Sequence, residues 1–445
     1  MKRFILTPVR ALVLSFAGAI AVGAVLLWLP PATVAPGHLG FVDALFTATS
    51  ATTVTGLVVV DTGTVFTRFG QCVILGLIQL GGLGIMTFST ILLLLVGKRV
   101  SFRDRVAVQS AFTHAQIPSM AALLRWVVLA TLAAEGLGAL LLWVGFRGEP
   151  HRAFSALFHA VSAFCNAGFA LYPDSLTRWR SDPVINLTVT TLIIAGGTGF
   201  LVFRDTVLVM TGRRRRLSLN TKICWITYMA LLAGGVLFFG VLERNNSLRG
   251  LPLGEKALAT WFQVVTLRTA GFNTLDFSTF ANATLFFSII YMFIGASPGS
   301  CAGGIKTSTF AVLVAAARSR LSGHLRVSIF QRSVPDATVT RALAIVLASF
   351  VVINGAALAL MIVQTGSHSH AATRGLFLEL LFEVTSAFGT VGLSTGVTPT
   401  LSPIGKLIII SVMFAGRLGP ITLALATTAG RERRFTYAQE NVMVG

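Results

Sequence analysis

Apolar residues along this chain fall in long blocks rather than in short alternating runs. A helix that crosses a bilayer needs about 20 mostly apolar residues. Charge-poor runs of that length recur near 11–29, 69–96, 122–146, 184–203, 223–242, 283–317, 342–365 and 404–429, which predicts eight membrane-spanning helices. The first could pass for a signal peptide, because Lys2, Arg3 and Arg10 precede it. Its apolar core is long, however, and no clean small-x-small cleavage site follows. The connections between the runs alternate in character. One set is basic. The other set is too long for turns and too apolar for ordinary loops.

Composition agrees. Of 445 residues, 54% are hydrophobic and 11% are charged, against roughly 25% charged in a soluble domain. Mean hydropathy is +0.80. A soluble enzyme, a disordered scaffold and a nucleic-acid binder are excluded as readings of the whole chain. The net charge of +19 is an orientation signal. Segments 1–10, 97–125, 204–222, 318–341 and 430–445 hold 22 of the 35 Lys and Arg, with five acids (Asp104, Asp205, Asp336, Glu432, Glu440). The densest run is Arg213-Arg214-Arg215-Arg216. The positive-inside rule places both termini and these loops in the cytoplasm. A multi-pass protein of a plasma membrane is expected, a bacterial inner membrane given the short loops. Anionic lipid is a secondary partner of the basic surplus. The cysteines, Cys72, Cys165, Cys224 and Cys301, have no paired metal spacing and read as packing residues.

The apolar connections carry a fourfold repeat. They read Phe46-Thr-Ala-Thr-Ser50-Ala-Thr-Thr53-Val54-Thr55-Gly56-Leu57, Phe158-His-Ala-Val-Ser162-Ala-Phe-Cys165-Asn166-Ala167-Gly168-Phe169, Trp261-Phe-Gln-Val-Val265-Thr-Leu-Arg268-Thr269-Ala270-Gly271-Phe272 and Phe382-Glu-Val-Thr-Ser386-Ala-Phe-Gly389-Thr390-Val391-Gly392-Leu393. An aromatic stands ten residues before each glycine and a large apolar residue after it. Serine stands six residues before in all but the third, which has Val265. A cluster of small residues follows each anchor within the next predicted helix: Gly81-Gly82-Leu83-Gly84, Gly196-Gly197-Thr198-Gly199, Gly295 to Gly304, and Gly416-Arg417-Leu418-Gly419-Pro420. For the first two, ordinary small-residue helix packing is an equal explanation. The expected unit is helix, short helix, glycine-bearing strand, helix, in copies over 1–100, 101–218, 219–333 and 334–445. The fold class expected is all-α integral membrane, with eight transmembrane helices and four short pore helices in pseudo-fourfold arrangement around a central ion pore.

Non-helical backbone at membrane depth must be buried or line a wet cavity. Glycine tolerates the positive φ that turns successive carbonyls to one side. Four such strands would present rings of carbonyl oxygen that replace the hydration shell of an alkali cation. The short helices, expected near 43–51, 153–163, 256–266 and 375–387, would aim their negative C-terminal ends at the same point. The sixth apolar run is also interrupted. Pro298 with Gly295, Gly299, Gly303 and Gly304 would break a helix before Lys306.

These residues resemble the Trk/Ktr/HKT superfamily of potassium transporters, and most closely its KtrB-type membrane subunits. The likeness covers nearly the whole chain and is most specific at Ala48-Thr-Ser-Ala-Thr-Thr-Val-Thr-Gly-Leu57, Arg268-Thr-Ala-Gly-Phe-Asn273 and Ser386-Ala-Phe-Gly-Thr-Val-Gly-Leu393. It implies potassium uptake through a filter formed by Thr53, Val54, Thr55, Gly56, Cys165, Asn166, Ala167, Gly168, Arg268, Thr269, Ala270, Gly271, Gly389, Thr390, Val391 and Gly392. K⁺ itself would sit at Thr53, Gly56, Asn166, Gly168, Thr269, Gly271, Thr390 and Gly392. Glycine at the first anchor, Gly56, points to potassium over sodium, though sodium stays possible as a transported ion. The resemblance also implies a gate of Gly295, Ser297, Pro298, Gly299, Ser300, Gly303, Gly304 and Lys306, approached by Arg417 from the last helix. A homodimer with one pore per subunit, a cytosolic ring of nucleotide-binding KtrA-type regulatory subunits, and a C-terminal tail (Tyr437 to Gly445) at the subunit interface are implied too. No organic cofactor and no nucleic acid are expected.

Some residues stay open. Glu135 is a buried hydrogen-bonded carboxylate or a helix contact. Asp43, Asp61, Asp174 and Asp276 either concentrate cations at the outer mouth or cap helices. His159 reads as a packing or hydrogen-bonding residue. The rival functions are an alternating-access Na⁺-coupled cation symporter, which would need inverted repeats, and an intramembrane enzyme, for which the runs hold no acid pair or Ser/His set. No enzymatic activity is expected.

Overall fold

The computed structural model describes residues 8–84 except 36 and 38, residues 120–420 except 325, 367 and 370, and residue 422. Most of the basic 97–125 segment, the ends of the second and last apolar runs, the first predicted unit boundary and the terminal tail lie outside the described residues.

The described residues are almost entirely helical. In chain order the helices are α1 (Pro8–Trp28), α2 (Phe41–Thr53), α3 (Thr62–Val65), α4 (Arg68–Gly82), α5 (Met120–Gly145), α6 (Arg152–Phe164), α7 (Pro183–Thr198), α8 (Phe200–Met210), α9 (Leu219–Glu243), α10 (Leu253–Thr266), α11 (Asn282–Phe293), α12 (Thr307–Leu321), α13 (Asp336–Thr365), α14 (Leu376–Gly389) and α15 (Pro403–Leu418). A two-stranded hairpin, Ser328–Ile329 with Arg332–Ser333, interrupts the basic 318–341 segment. Local chemistry starts several helices. Thr67, Asp182, Ser218 and Ser402 each accept a first-turn amide, and Pro183 and Pro403 occupy the first turn, where no amide is missed.

The described residues carry apolar side chains outside as well as in the core, as suits a bilayer-embedded protein. The long helices expose large apolar side chains, such as Leu137 at 61% and Val351 at 69%. The short helices α2, α6, α10 and α14 are instead buried over most of their length, although α2 is rich in Thr and Ser and each of the others holds two such residues. Each begins and ends close to where the sequence placed it.

Their neighbours close a circle. α4 packs on α6, α7 on α10, α11 on α14, and α15 on α2. Each helix that follows an anchor glycine thus rests on the short helix of the next stretch, and the fourth returns to the first.

The first, second and fourth small-residue clusters do not lie inside continuous helices, contrary to expectation; they end them. Gly81, Gly196 and Gly416 each leave room for one backbone carbonyl, that of Thr52, Phe164 and Phe388 respectively. All three carbonyls stand four residues before an anchor glycine. Three residues beyond each packing glycine, Gly84, Gly199 and Gly419 take φ of +82°, +84° and +83° and stop the helix. The fourth predicted run, 184–203, is accordingly bent by 102° between α7 and α8. A Cβ on Gly199 would lie 2.5 Å from the Pro298 carbonyl, so the bend yields space to the broken sixth run. That run breaks as predicted, with α11 and α12 separated by residues 294–306. Three described helices are long and apolar enough to span alone, or four if the α7–α8 pair is one broken span.

Gly416→Ala should cost about 1–3 kcal/mol of stability, because a methyl there overlaps the Phe388 carbonyl. Gly18→Ala should cost none, since nothing lies within 4 Å of its added methyl. Thermal unfolding of both variants in detergent checks the contrast.

Candidate functional site

Each short helix ends in the same backbone manoeuvre. Two residues before each anchor glycine stands a non-glycine residue in the left-handed region: Val54 (φ 56°), Asn166 (57°), Thr269 (67°) and Thr390 (49°). For β-branched residues this conformation is a genuine outlier, held only where the surroundings over-determine it. The anchors follow with φ of 95°, 70°, 82° and 88° at Gly56, Gly168, Gly271 and Gly392. Two left-handed residues around one ordinary residue keep the strand turning the same way at every copy.

The four strands meet. A Cβ on Gly56 would lie 2.5 Å from the Ala167 carbonyl, one on Gly168 2.8 Å from that of Ala270, and one on Gly271 2.8 Å from that of Val391. One on Gly392 would overlap the Thr55 carbonyl. Each glycine therefore abuts the carbonyl just before the next glycine, and the order closes on itself. No side chain fits at any of the four places.

Hydroxyls hold the strands from behind. Ser50 and Ser386 Oγ accept the amides of Gly56 and Gly392, both at 3.1 Å. Ser162 Oγ instead donates to the Phe169 carbonyl at 2.8 Å. In the third stretch, where serine is replaced by Val265, Thr266 one residue later donates to the Phe272 carbonyl at 2.5 Å. The amide before the glycine shifts likewise. It bonds Ser50, Ser162 and Ser386 carbonyls in three stretches but Thr266 in the third.

The sequence-predicted residues fall in three groups. Thr53, Val54, Thr55, Asn166, Ala167, Thr269, Ala270, Thr390 and Val391 are all fully buried beside the glycines. Within this group the Asn166 amide and the Thr269 and Thr390 hydroxyls have no hydrogen-bond partner among the described residues. Cys165 and Arg268 belong to the strands by backbone only. The Cys165 thiol turns towards Gln79 and Glu135, at 3.7 and 3.8 Å, and Glu135 accepts Gln79 at 3.2 Å. Glu135 is therefore a buried hydrogen-bonded carboxylate at a helix contact. Gly389 sits against the Met292 carbonyl, 2.7 Å from where its Cβ would be.

The third group is the 295–306 loop, which is bonded by Arg268, by the glycine-bearing ends of α4 and α7, by the start of α8 and by Arg417 of α15. Arg268, buried and lying 5.2 Å over the Tyr228 ring, donates to the carbonyls of Ile294 and Gly295 at 2.6 Å each. The amides of Ser297 and Cys301 donate to Gly197 and Gly196, and Phe200 N–H to Gly299 O at 3.1 Å. Ser300 Oγ bonds back to the Ser297 carbonyl at 2.7 Å. Arg417 donates to the carbonyls of Cys301 and Gly81, and Cys301 Sγ to that of Gly82 at 2.9 Å. Lys306 Nζ donates to Ala302 O at 2.6 Å. A Cβ on Gly303 would overlap the Thr390 hydroxyl, so the loop lies directly beside the fourth strand. Pro298 and Gly304 complete it.

The acids expected at the outer mouth have structural work. Asp61 and Asp276 cap short turns, and Asp43 pairs with Lys406 at 2.6 Å. Asp174 pairs with Arg178 at 2.9 Å. Burial alone would raise its carboxyl, but hydrogen bonds from Arg178 and Thr177 outweigh that and hold it below the ordinary range. Sequence reasoning passed over Glu383 and Gln79. The spacing to the anchor glycine could have drawn out Glu383, because it falls at the position of His159.

Ser386→Ala should leave the Gly392 amide without its side-chain acceptor and cost about 1–3 kcal/mol. Ser386→Thr, which keeps a hydroxyl, should cost less. Unfolding midpoints in detergent measure the difference.

A family model described as TrkH, cation transport protein, matches residues 18–433. Ktr system potassium uptake protein B of Bacillus subtilis is 42% identical over 445 residues, 99% of this chain and 97% of that one. Potassium/sodium uptake protein NtpJ of Enterococcus hirae is 36% identical over 99% of this chain and 98% of its own. The crystal structure of the potassium transporter TrkH from Vibrio parahaemolyticus superposes with a TM-score of 0.76 at 19% identity, covering 96% of this chain and 86% of that one. This chain belongs to the TrkH family of cation transport proteins, a family of transporters and not of enzymes.

Proposed function

We propose that this chain is the ion-conducting membrane subunit of a potassium uptake system, with the four anchor strands as its selectivity filter. The observation that carries the reading is the closed order in which each anchor glycine abuts the carbonyl before the next. Potassium sheds water and takes those carbonyls, and those beside them, in its place. The C-terminal ends of α2, α6, α10 and α14 add partial negative charge at the same point. The polar atoms of Asn166, Thr269 and Thr390, without a partner among the described residues, suit an ion or water path on the loop side of the ring. On this reading the chain is built of four like units, with divisions near 100, 218 and 333 and eight spans around one pore.

The 295–306 loop is the gate. Arg417 and Lys306 bring two positive charges to its later half while bonding only carbonyls. They oppose a cation, and a displacement of the loop removes the plug and carries the Lys306 charge with it, away from Arg417 on α15. The relatives' names bear on partners and ions. Two relatives are B components of a Ktr system, which favours a regulatory partner subunit in the cytoplasm, where this reading also puts both termini. It is a homodimer with a pore in each copy. Sodium in the Enterococcus hirae relative's name makes Na⁺ the competitor to test.

Wild-type chain should restore potassium-limited growth to a strain lacking its own uptake, and Gly392→Ser should cut K⁺ uptake and its preference over Na⁺ by about tenfold or more, since the added Cβ overlaps the Thr55 carbonyl and pushes it out of the ring that replaces the ion's hydration shell. Absence of rescue by membrane-inserted wild type overturns the reading. Deleting 297–303 should raise ion flux in liposomes. Unchanged flux from a folded deletion variant removes the gate.

A further inference from the structure

Nine residues before the anchor glycine, two of the four stretches carry a fully buried polar side chain: His159 in the second and Glu383 in the fourth. Their chemistry differs, but their task coincides. His159 Nδ1 donates to the Ser155 carbonyl at 2.7 Å, which fixes the tautomer and leaves Nε2 to accept the Leu171 amide at 3.3 Å. Glu383 Oε1 accepts the Thr395 amide at 3.1 Å and the Ser394 hydroxyl, and Oε2 accepts Thr398 Oγ1 at 2.7 Å. Leu171 and Thr395 are the same position, three residues past Gly168 and Gly392. In the order of contacts around the ring, these two stretches lie opposite each other.

The other two stretches lack this tie. Thr47 turns its hydroxyl back to the Asp43 carbonyl, and Phe262 has no polar atom to offer. The neighbouring Gln263 bonds instead to the Leu275 carbonyl, one residue further out. Both ties are rigidly backed. The His159 ring stacks on Tyr172 at 5.2 Å with 18° between planes and has Phe146 and Phe158 at its edges. Glu383 has three donors, from the two residues after the strand and from Thr398, and forms no ion pair among the described residues.

We infer that His159 and Glu383 are a matched pair of positioning residues: each ties the outer end of its strand to the short helix behind it, so the two opposed strands cannot spread. Neither touches the ion. They set the width across one diameter of the ring and through it the preference for K⁺ over Na⁺. This rests on the filter reading proposed above. An acceptor behind a strand resists its movement by about the strength of one neutral hydrogen bond, so the effect should appear in selectivity before it appears in folding.

The test is the ratio of K⁺ to Na⁺ uptake by the full chain in liposomes. His159→Phe keeps a ring but orphans the Leu171 amide, and should change the ratio about fivefold, the worth of one such bond. His159→Gln, which can still offer an acceptor, should recover most of it. Glu383→Leu, which removes the acceptor of the Thr395 amide, should shift the ratio in the same direction as His159→Phe. A merely structural role would lower uptake of both ions together and leave the ratio untouched. If Gly392→Ser changes the ratio while folded His159→Phe and Glu383→Leu do not, the inference is overturned and the filter reading stands. If none of the three changes it, the filter reading falls and takes the inference with it. Should His159→Phe fail to fold, Glu383→Leu decides by the same criterion.

Discussion

The structure depends on main chain meeting main chain. At Gly56, Gly168, Gly271 and Gly392 one strand abuts the carbonyl of the next with no space for a β-carbon. Such contact is possible only if the strands are free of side chains on that face and are held from behind. The buried hydroxyls of the short helices do the holding, through Ser50, Ser162, Thr266 and Ser386. The strained left-handed residues ahead of each glycine persist because helix end, hydroxyl and neighbouring strand all constrain them together. The same demand reaches outward. Gly81, Gly196 and Gly416 let the following helix lie against the end of a short helix, and the glycine three residues on then releases it.

The loop at 295–306 is fastened by cations that have carbonyl partners and no carboxylate. Arg268, Arg417 and Lys306 form no ion pair among the described residues. A guanidinium in a low-dielectric interior is expensive unless its donors are satisfied. Here several are, by the carbonyls that a broken helix leaves exposed. The arrangement solves two problems at once. The break in the sixth run supplies acceptors for charges that could not otherwise be buried, and the charges give an irregular segment a defined place. Because the carbonyls neutralise nothing, the positive field remains at the loop.

The four glycine-bearing stretches are alike in plan and unlike in detail. Serine holds the glycine amide in the first and fourth, and a hydroxyl holds the carbonyl beyond the glycine in the second and third. A single chain can adjust each strand separately, which four identical subunits could not. The departure of the third stretch from the serine pattern is matched by a hydroxyl one residue later, so the loss of Ser at 265 is a shift of the support rather than its absence.

Much was legible beforehand, because it is written in local composition. Apolar run length located the long apolar helices of the described residues, and the recurrence of one glycine after a short helix located the four strands. Pro298 and its glycines announced the break in the sixth run, since proline and glycine act through the backbone they sit in. Three-dimensional packing decided the rest. The bend at Gly199 did not show in hydropathy, because an apolar run reads the same whether straight or folded back around a loop. That Arg268 serves the loop and not the strand beside it, and that Cys165 turns to Glu135 and Gln79, depended on which helix happened to pass behind. His159 and Glu383 fall together only once two stretches far apart in the chain are seen to use the same amide. Side-chain direction and long-range partnership are set by the closing of the circle, and a linear pattern carries no information about what stands on the other side of it.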